Sequence, residues 1–419
     1  MEYDVIIIGA GLAGLSAGKV LNEEDVSYKI IEANARPGGK VYSREYTDRY
    51  FELGGQFINQ DMTEMTRLVM DAGMEIHETD VTEDAVIIDE RKNTDVETIL
   101  EAEEKLFKGL GERDIRLSRL YEKNITDPYH RKLISSQHSE VLNINPELIS
   151  SKAIAEMMKR YLSSKSDTTH QASGPLNNVV SYLESFSKDK IIYGQPVAEI
   201  GESKNGYIIR TLTNEYQSKS VILAIPPTAA SRINYTTGLP EKIENALKSF
   251  KDGAVIKITW VFEEAFWRSF SVQDEVHRLK EVIYSEPEGI NVSDSSKAGD
   301  ENRLTMFIGG DTAIKLAERT LDERLEYAVS LLTVVLGEKA RYYIDREESV
   351  WVNDPYYGGG YSASVLFEGV HNAAEILRNP YKKLLFSGSE LSSDFPKFME
   401  GAVRSGKHAA NKALELLFK

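Results

Sequence analysis

Gly9-Ala10-Gly11-Leu12-Ala13-Gly14 is a G-x-G-x-x-G run. The chemistry such a run performs is pyrophosphate binding. The first glycine permits a tight turn, the second lets a phosphate approach the backbone, and the third lets a helix pack closely on the preceding strand. A helix opening at this point offers unpaired N–H groups and the positive end of its dipole to an anion. Glu32 follows at close to the spacing of roughly 20 residues where a carboxylate meets a ribose diol. It would accept both ribose hydroxyls and repel a 2′-phosphate. These features point to a dinucleotide and leave FAD and NAD both open. Other chemistries have no support. His77, His130, His138, His170, His277, His371 and His408 show neither H-x-x-x-H nor H-E-x-x-H spacing, so no metal site is expected. There is no G-x-S-x-G elbow. The chain has no cysteine, which excludes disulfides, thiolate metal sites, a cysteine nucleophile and a flavin bonded through cysteine.

These residues need elements to position them. Residues 3–8 form a short Val/Ile-rich run ending in glycine, the pattern of a buried parallel strand. Residues 12–21 place Leu12, Leu15, Ala17, Val20 and Leu21 near one helix face, and residues 27–32 read as a second strand, giving a βαβ unit. Two Gly-Gly turns follow, RPGGK at 36–40 and ELGGQFI at 52–58, where backbone can approach a ligand closely. Residues 59–71 read as a helix, 81–98 as strands and turns, and 96–165 as mostly helical, including TILEAEEKLFKGL and SSKAIAEMMKRYL. Residues 190–223 predict an antiparallel excursion with a GESKNG turn, returning to a buried strand. Residues 254–261 predict a long strand. Residues 285–303 are polar and rich in Ser, Asp and Gly, which predicts an exposed loop. Residues 311–336 predict a helix, 384–388 a short strand, and Met399–Phe418 a helix. No internal repeat or long low-complexity segment is evident.

With 419 residues, two to three domains are expected and a large core is affordable. The hydrophobic fraction of 41% and charged fraction of 28% are those of a soluble globular protein. The net charge of −16 argues against nucleic acid as a partner and favours cations, protonated amines included. No apolar run approaches the roughly 20 residues that span a bilayer, and the N-terminus lacks the layout of a signal peptide. A cytoplasmic location is the expectation.

Further motifs carry a resemblance. Arg36-x-Gly38-Gly39 and Glu52-x-Gly54-Gly55 follow the acidic strand end. Ala254-Val255-Ile256-Lys257 precedes Phe266-Trp267-Arg268, and Trp351 opens WVNDPYYGGGY. The C-terminal part carries Phe386-Ser387-Gly388-Ser389-Glu390 and then Met399-Glu400-Gly401-Ala402-Val403-x-Ser405-Gly406. Together, and in this order, they resemble the flavin-dependent amine oxidase family, which includes monoamine, polyamine and L-amino acid oxidases.

The resemblance implies an α/β fold: a Rossmann-type FAD-binding domain with a parallel sheet, intertwined with a substrate domain of mixed sheet and helices. The FAD domain would comprise residues 1–80, 190–250 and 380–419, and the substrate domain 81–189 and 251–379. It implies cofactor contacts from Gly9, Gly11, Leu12, Ala13 and Gly14, then from Glu32, Ala33, Arg36, Gly38, Gly39 and Lys40. Gly54, Gly55, Gln56 and Phe57 extend the set, with Val197 meeting adenine through its backbone. Gly388, Ser389, Glu390, Phe398 and Met399 complete it. Arg36 would offer a fork of donors to pyrophosphate. Lys40 stands where relatives often have arginine. Glu390 matches an acid near the ribityl and pyrophosphate region. The Met399 helix would aim its N-terminus at the pyrimidine end of the flavin, which gains negative charge on reduction.

Lys257 matches a lysine that holds a water against the reactive flavin nitrogen. Tyr361 and Phe398 match two aromatic rings that face each other across the flavin, a slot whose π faces hold and orient an amine nitrogen. In related monoamine oxidases a cysteine bonded to the flavin stands at the position of Gly360, so FAD is expected to be non-covalent here. The implied reaction passes two electrons and a hydrogen from an amine to the flavin. Water hydrolyses the resulting imine to a carbonyl compound, and oxygen or a protein electron acceptor takes the electrons, oxygen giving hydrogen peroxide. The run GSELSSDFPKFMEGA is closer to bacterial oxidases of nicotine-like cyclic amines than to mammalian monoamine oxidases, so a secondary or cyclic amine is expected. No nucleic acid and no membrane are expected as partners, and a homodimer is. Two alternatives share the cofactor motifs: a desaturase or protoporphyrinogen-oxidase-like enzyme, and a non-catalytic FAD-binding regulatory subunit.

Overall fold

A computed structural model describes residues 2–82, 84–101, 106–107, 110, 113–272 and 275–418. Two large sheets organise them. The first has eight strands. Its middle is parallel: Glu2–Ile8 lies between Tyr28–Ile31 and Glu215–Leu223, and Leu384–Phe386 pairs parallel with Glu215–Leu223. The continuous apolar run of the first strand fits burial on both faces. Val5 and Ile7 join one hydrophobic cluster, Ile6 and Ile8 another. The helices Leu12–Glu23 and Met399–Phe418 cover one side, packed against each other. Gly406 makes this possible, since a Cβ there would lie 2.0 Å from the Ala13 carbonyl oxygen. The strands Val197–Ser203, Gly206–Thr211 and Glu215–Leu223 form the antiparallel excursion. Its first turn is tighter than GESKNG suggests, because Gly201–Ser203 remain in the strand and Ser203 pairs with Gly206.

The second sheet has six strands in the order Tyr343–Val350, Val255–Phe262, Asn302–Gly309, Ile290–Asp294, Leu279–Tyr284 and Val86–Asp89. Alternation along strands gives it two unlike faces. Ile256, Ile258, Trp260, Val282, Val292, Met306 and Ile308 lie in one apolar cluster, with residues of the helices Gly310–Ala317 and Leu321–Leu336. The opposite face presents Lys257, Thr259, Glu281, Asn291, Ser293, Thr305 and Phe307. Most of these are buried despite being polar: Thr305 is 0% exposed and Lys257 3%.

Three expectations need correction. Residues 285–303 are not one exposed loop: Glu286, Glu288 and Ala298–Asp300 are exposed, but Ile290–Asp294 is a fully buried strand inside the six-stranded sheet. Its polar residues are satisfied internally. Trp267 donates its indole N–H to Asp294 (2.8 Å), and the hydroxyl of Ser296 donates to the same carboxylate (2.6 Å). The helix expected over 59–71 starts only at Thr63. The helix expected over 311–336 is two, separated at Thr320, whose capping box with Glu323 starts the second. Within 96–165 the helices are Val96–Glu101, Leu117–Asn124, Pro128–Val141 and Ser151–Met158. Much of TILEAEEKLFKGL (102–105 and 108–109) lies outside the described residues.

Candidate active site

The phosphate loop joins strand Glu2–Ile8 to helix Leu12–Glu23, with Gly11 as the residue before the helix and no side chain capping its N–H groups. Gly9 has φ +100°, and a Cβ on Gly14 would lie 1.9 Å from the Gly9 oxygen. Only glycine lets this strand and helix meet so closely. Leu12 and Ala13 are buried in the first turn. Gly38 donates its N–H to Ala10 (2.8 Å), and Gly39 packs on Gly11 with bare backbone. An uncapped helix N-terminus lined by glycine backbone fits a pyrophosphate. Glu32 is buried and accepts from the N–H of Ala10 (2.7 Å) and of Asn34 (2.8 Å), which sets Ala33 beside the same loop. Gln195 donates to the Glu32 carbonyl (2.9 Å) and so brings Val197 in next to that strand end.

Arg36 donates to the carbonyls of Pro37, Gly39 and Val41 and lies over the rings of Tyr42 and Tyr357. In this arrangement it shapes the first Gly-Gly turn. Lys40 reaches across to the other end of the chain. Its ammonium donates to the Tyr361 carbonyl (3.1 Å) and lies 3.7 Å from Glu390. Glu390 also accepts from the Ala363 N–H (3.0 Å) and the Ser389 hydroxyl (3.0 Å). Burial by itself would raise its carboxyl; the charge of Lys40 and these hydrogen bonds outweigh that and hold it below the usual range. Gly388 precedes this short turn.

Lys257 projects from the polar sheet face toward the second Gly-Gly turn. Its Nζ donates to the Gly54 carbonyl (3.1 Å). Burial lowers its pKa to about 7, with the charge of Glu52 opposing and that of Arg303 adding to the shift. Glu52 is raised by the same burial, against hydrogen bonds from Leu176 and Ser43. Gly55 packs against Met399, the first residue of the C-terminal helix. Gln56 donates to Gln171 (2.7 Å), and its own side-chain amide oxygen is buried without a partner among the described residues. Phe57, Phe307 and Tyr361 form a chain of rings, with centroids 6.4 and 6.1 Å apart, and Lys257 lies 5.6 Å from the Phe307 centroid. The Tyr361 hydroxyl donates to Glu140 (3.1 Å). Phe398 is half-buried and packs on Tyr161, centroids 5.3 Å apart, just before the Met399 helix. A side chain at Gly360 would meet the Asn143 amide.

Lys257, Lys40, Tyr361, Glu390 and the second Gly-Gly turn thus converge from distant parts of the chain. The phosphate loop, Glu32 and Val197 form a second group at the C-terminal edge of the parallel strands, where open α/β sheets bind ligands. Phe307, Glu140, Tyr161 and Lys397 are not singled out by the sequence, whereas Glu52 opens the Glu52-x-Gly54-Gly55 motif but carries no role there. Lys397 donates to Ser364 (2.7 Å) and is lowered to about 8 by burial.

A family profile described as flavin containing amine oxidoreductase matches residues 110–414, and a profile for an NAD(P)-binding Rossmann-like domain matches residues 7–72. The chain belongs to the flavin-containing amine oxidoreductase family. Amine oxidase A of Bos taurus is 25% identical over 462 residues, spanning 100% of this chain and 86% of that protein. Amine oxidase B of Homo sapiens is 24% identical over 459 residues, spanning 100% and 87%. Cyclohexylamine oxidase from Brevibacterium oxydans superposes with a TM-score of 0.87 at 22% identity, covering 100% of both chains. Putrescine oxidase bound to putrescine superposes with a TM-score of 0.85 at 22% identity, covering 99% of both. This flavin amine oxidoreductase uses FAD, and the glycine-lined, uncapped loop described above fits it. Among the described residues no helix is long and apolar enough to cross a membrane.

Proposed function

We propose that the protein oxidises a C–N bond of a small amine to an imine, which water hydrolyses to a carbonyl compound, with oxygen as final acceptor and hydrogen peroxide as its product, in the cytoplasm. Residues 1–80, 190–250 and 380–419 hold FAD, and 81–189 and 251–379 wall the amine. FAD supplies the two-electron acceptor when bound. The observation that carries this reading is Lys257: a buried lysine, 3.1 Å from the Gly54 carbonyl and beside the Phe307–Tyr361 rings.

A buried ammonium is costly, and a buried lysine with no carboxylate within ion-pair distance among the described residues suits a chemical role. Lowered to about 7, its amine holds a water and takes or returns a proton near neutrality. Tyr361 and Phe398 orient the amine. Lys40 and Glu390 fix the loop that carries Tyr361. The uncapped N-terminus of Leu12–Glu23, with Gly38 and Gly39, holds pyrophosphate, and Glu32 holds the ribose. The start of the Met399 helix stabilises negative charge near it.

A peroxide assay over amines, polyenes and porphyrinogens tests the reading. Peroxide and a carbonyl product with amines alone support it. Turnover of a polyene or porphyrinogen, with amines inert, overturns it in favour of a C–C or ring oxidase. A flavoprotein that turns over none of them is a binding subunit.

A further inference from the structure

The strand Phe250–Asp252 pairs with Ala363–Val365. With the helices Ser151–Met158 and Ala373–Arg378 and the segment leading into the Met399 helix, this pair borders a cleft of about 440 Å³. Its apolar walls include Ala153, Ile154, Phe250 and Val365, all buried. Of the residues assigned above to the cofactor or the amine, only Glu390 borders it.

Three cations converge on this cleft: Arg160, Arg378 and Lys397. Arg160 donates only to backbone carbonyls, those of Glu156 (3.3 Å), Glu390 (3.4 Å) and Ser392. Arg378 donates to the Ser392 carbonyl (3.5 Å), and Lys397 to the Ser364 hydroxyl. Among the described residues none of the three lies within ion-pair distance of a carboxylate. Glu390 is nearby but already pairs with Lys40 (3.7 Å). On the rim, Glu156 pairs with Lys159 (2.6 Å), Glu375 accepts from the Asn372 amide (3.4 Å), and His371 is exposed.

Burial, then the charge of Arg378, lowers Arg160 to about 10, against the charge of Glu156. Burial lowers Lys397 to about 8, with the charge of Glu390 opposing and those of Lys40 and Arg160 adding to the shift. Both groups are still cations at neutrality. Positive charge is thus poorly compensated beside apolar walls, in a chain whose net charge is −16. The backbone gives an independent sign. Lys397 has φ +74°, the left-handed region that favours glycine and strains a residue with a long side chain. The chain nonetheless places a lysine there, and that lysine lines the cleft.

We propose that this cleft binds a small organic oxyanion, a phosphate monoester or a carboxylate with an apolar body. Its head lies among Lys397, Arg160 and Arg378, whose guanidinium forks match either group, and its body lies against Phe250 and Ile154. A protonated amine is repelled there, so the occupant is a second ligand and not the substrate. Lys397 immediately precedes Phe398, and Glu390 connects through Lys40 to the Tyr361 carbonyl. The occupant therefore sits beside the segments that carry both rings.

The test is calorimetry on the FAD-loaded enzyme, whose phosphate loop is filled, with phenyl phosphate and phenylacetate as probes. At least one is expected to bind and to raise Tm. Tighter binding of phenyl phosphate marks a phosphate-ester site, and tighter binding of phenylacetate a carboxylate site. Lys397→Gly removes the ammonium and suits the φ; Arg378→Met removes a guanidinium from the opposite wall and serves if Lys397→Gly does not fold. Each is expected to weaken the preferred anion by at least about tenfold and to shrink its Tm shift. Failure of both anions to bind the wild type, or unchanged affinity in either folded variant, overturns the proposal. Amine oxidation stands or falls separately, by flavin bleaching.

Discussion

Burial lowers Lys257 to about 7, so close to neutrality its amine is available as a proton acceptor as well as a cation. Lys257→Met keeps the methylene packing and removes that capacity. The variant is expected to retain yellow FAD and to lose a hundredfold or more, on the order of general acid–base effects, in reoxidation or imine hydrolysis; wild-type rates in stopped-flow would remove Lys257 from the mechanism. Glu140 makes a second prediction, on stability. Burial, then the charge of Glu281, raises its carboxyl from the ordinary 4.5 to about 8, against the hydrogen bond from Tyr361. Between those values the folded protein binds a proton that the unfolded chain releases, so stability from this group is complete below 4.5 and is lost as pH rises through about 8. Thermal melts should show Glu140→Gln losing less stability than wild type over that window; parallel curves would contradict it. The sequence singles out Lys257, Tyr361 and Phe398 because each sits in a short run of distinctive residues. It does not single out Glu140 and Tyr161: helix SSQHSEV and segment KRYLSS hold no motif, and tertiary packing alone brings them to Tyr361 and Phe398.

Among the elements, the first strand–loop–helix is the most constrained. Gly14→Ala places a methyl group 1.9 Å from the Gly9 oxygen, and the helix must move off the strand. Purified Gly14→Ala protein should carry much less FAD per chain than wild type and melt lower; full flavin content would contradict this account of the loop. The same unit was readable from sequence because apolar periodicity, glycine spacing and the acidic strand end agree. The strand Ile290–Asp294 was not readable. Its polar residues are those of a loop, but they bond to one another and to Trp267 inside the sheet. Asp294→Ala leaves the buried Trp267 indole N–H unpaired and should cost about 1–3 kcal/mol in urea unfolding. An exposed loop residue would cost almost nothing.

Across the whole molecule, the proposed site draws on both large sheets: Lys257 comes from the polar face of the six-stranded sheet, and the phosphate loop lies at the C-terminal edge of the parallel strands. Sequence order hid this convergence: Lys40, Lys257, Tyr361 and Glu390 are far apart in the chain and adjacent in space. Binding of FAD is linked to folding, so adding it to the apoprotein should raise Tm in proportion to the logarithm of its concentration. With no cysteine in the chain, guanidinium should release all of the yellow colour into an ultrafiltrate. The most direct test of the central claim is anaerobic titration of the oxidised holoenzyme with an amine library, followed by the flavin absorbance. The account predicts that at least one amine bleaches it stoichiometrically, that a carbonyl product forms, and that admitting oxygen restores the colour. A flavin spectrum that no amine changes would contradict it.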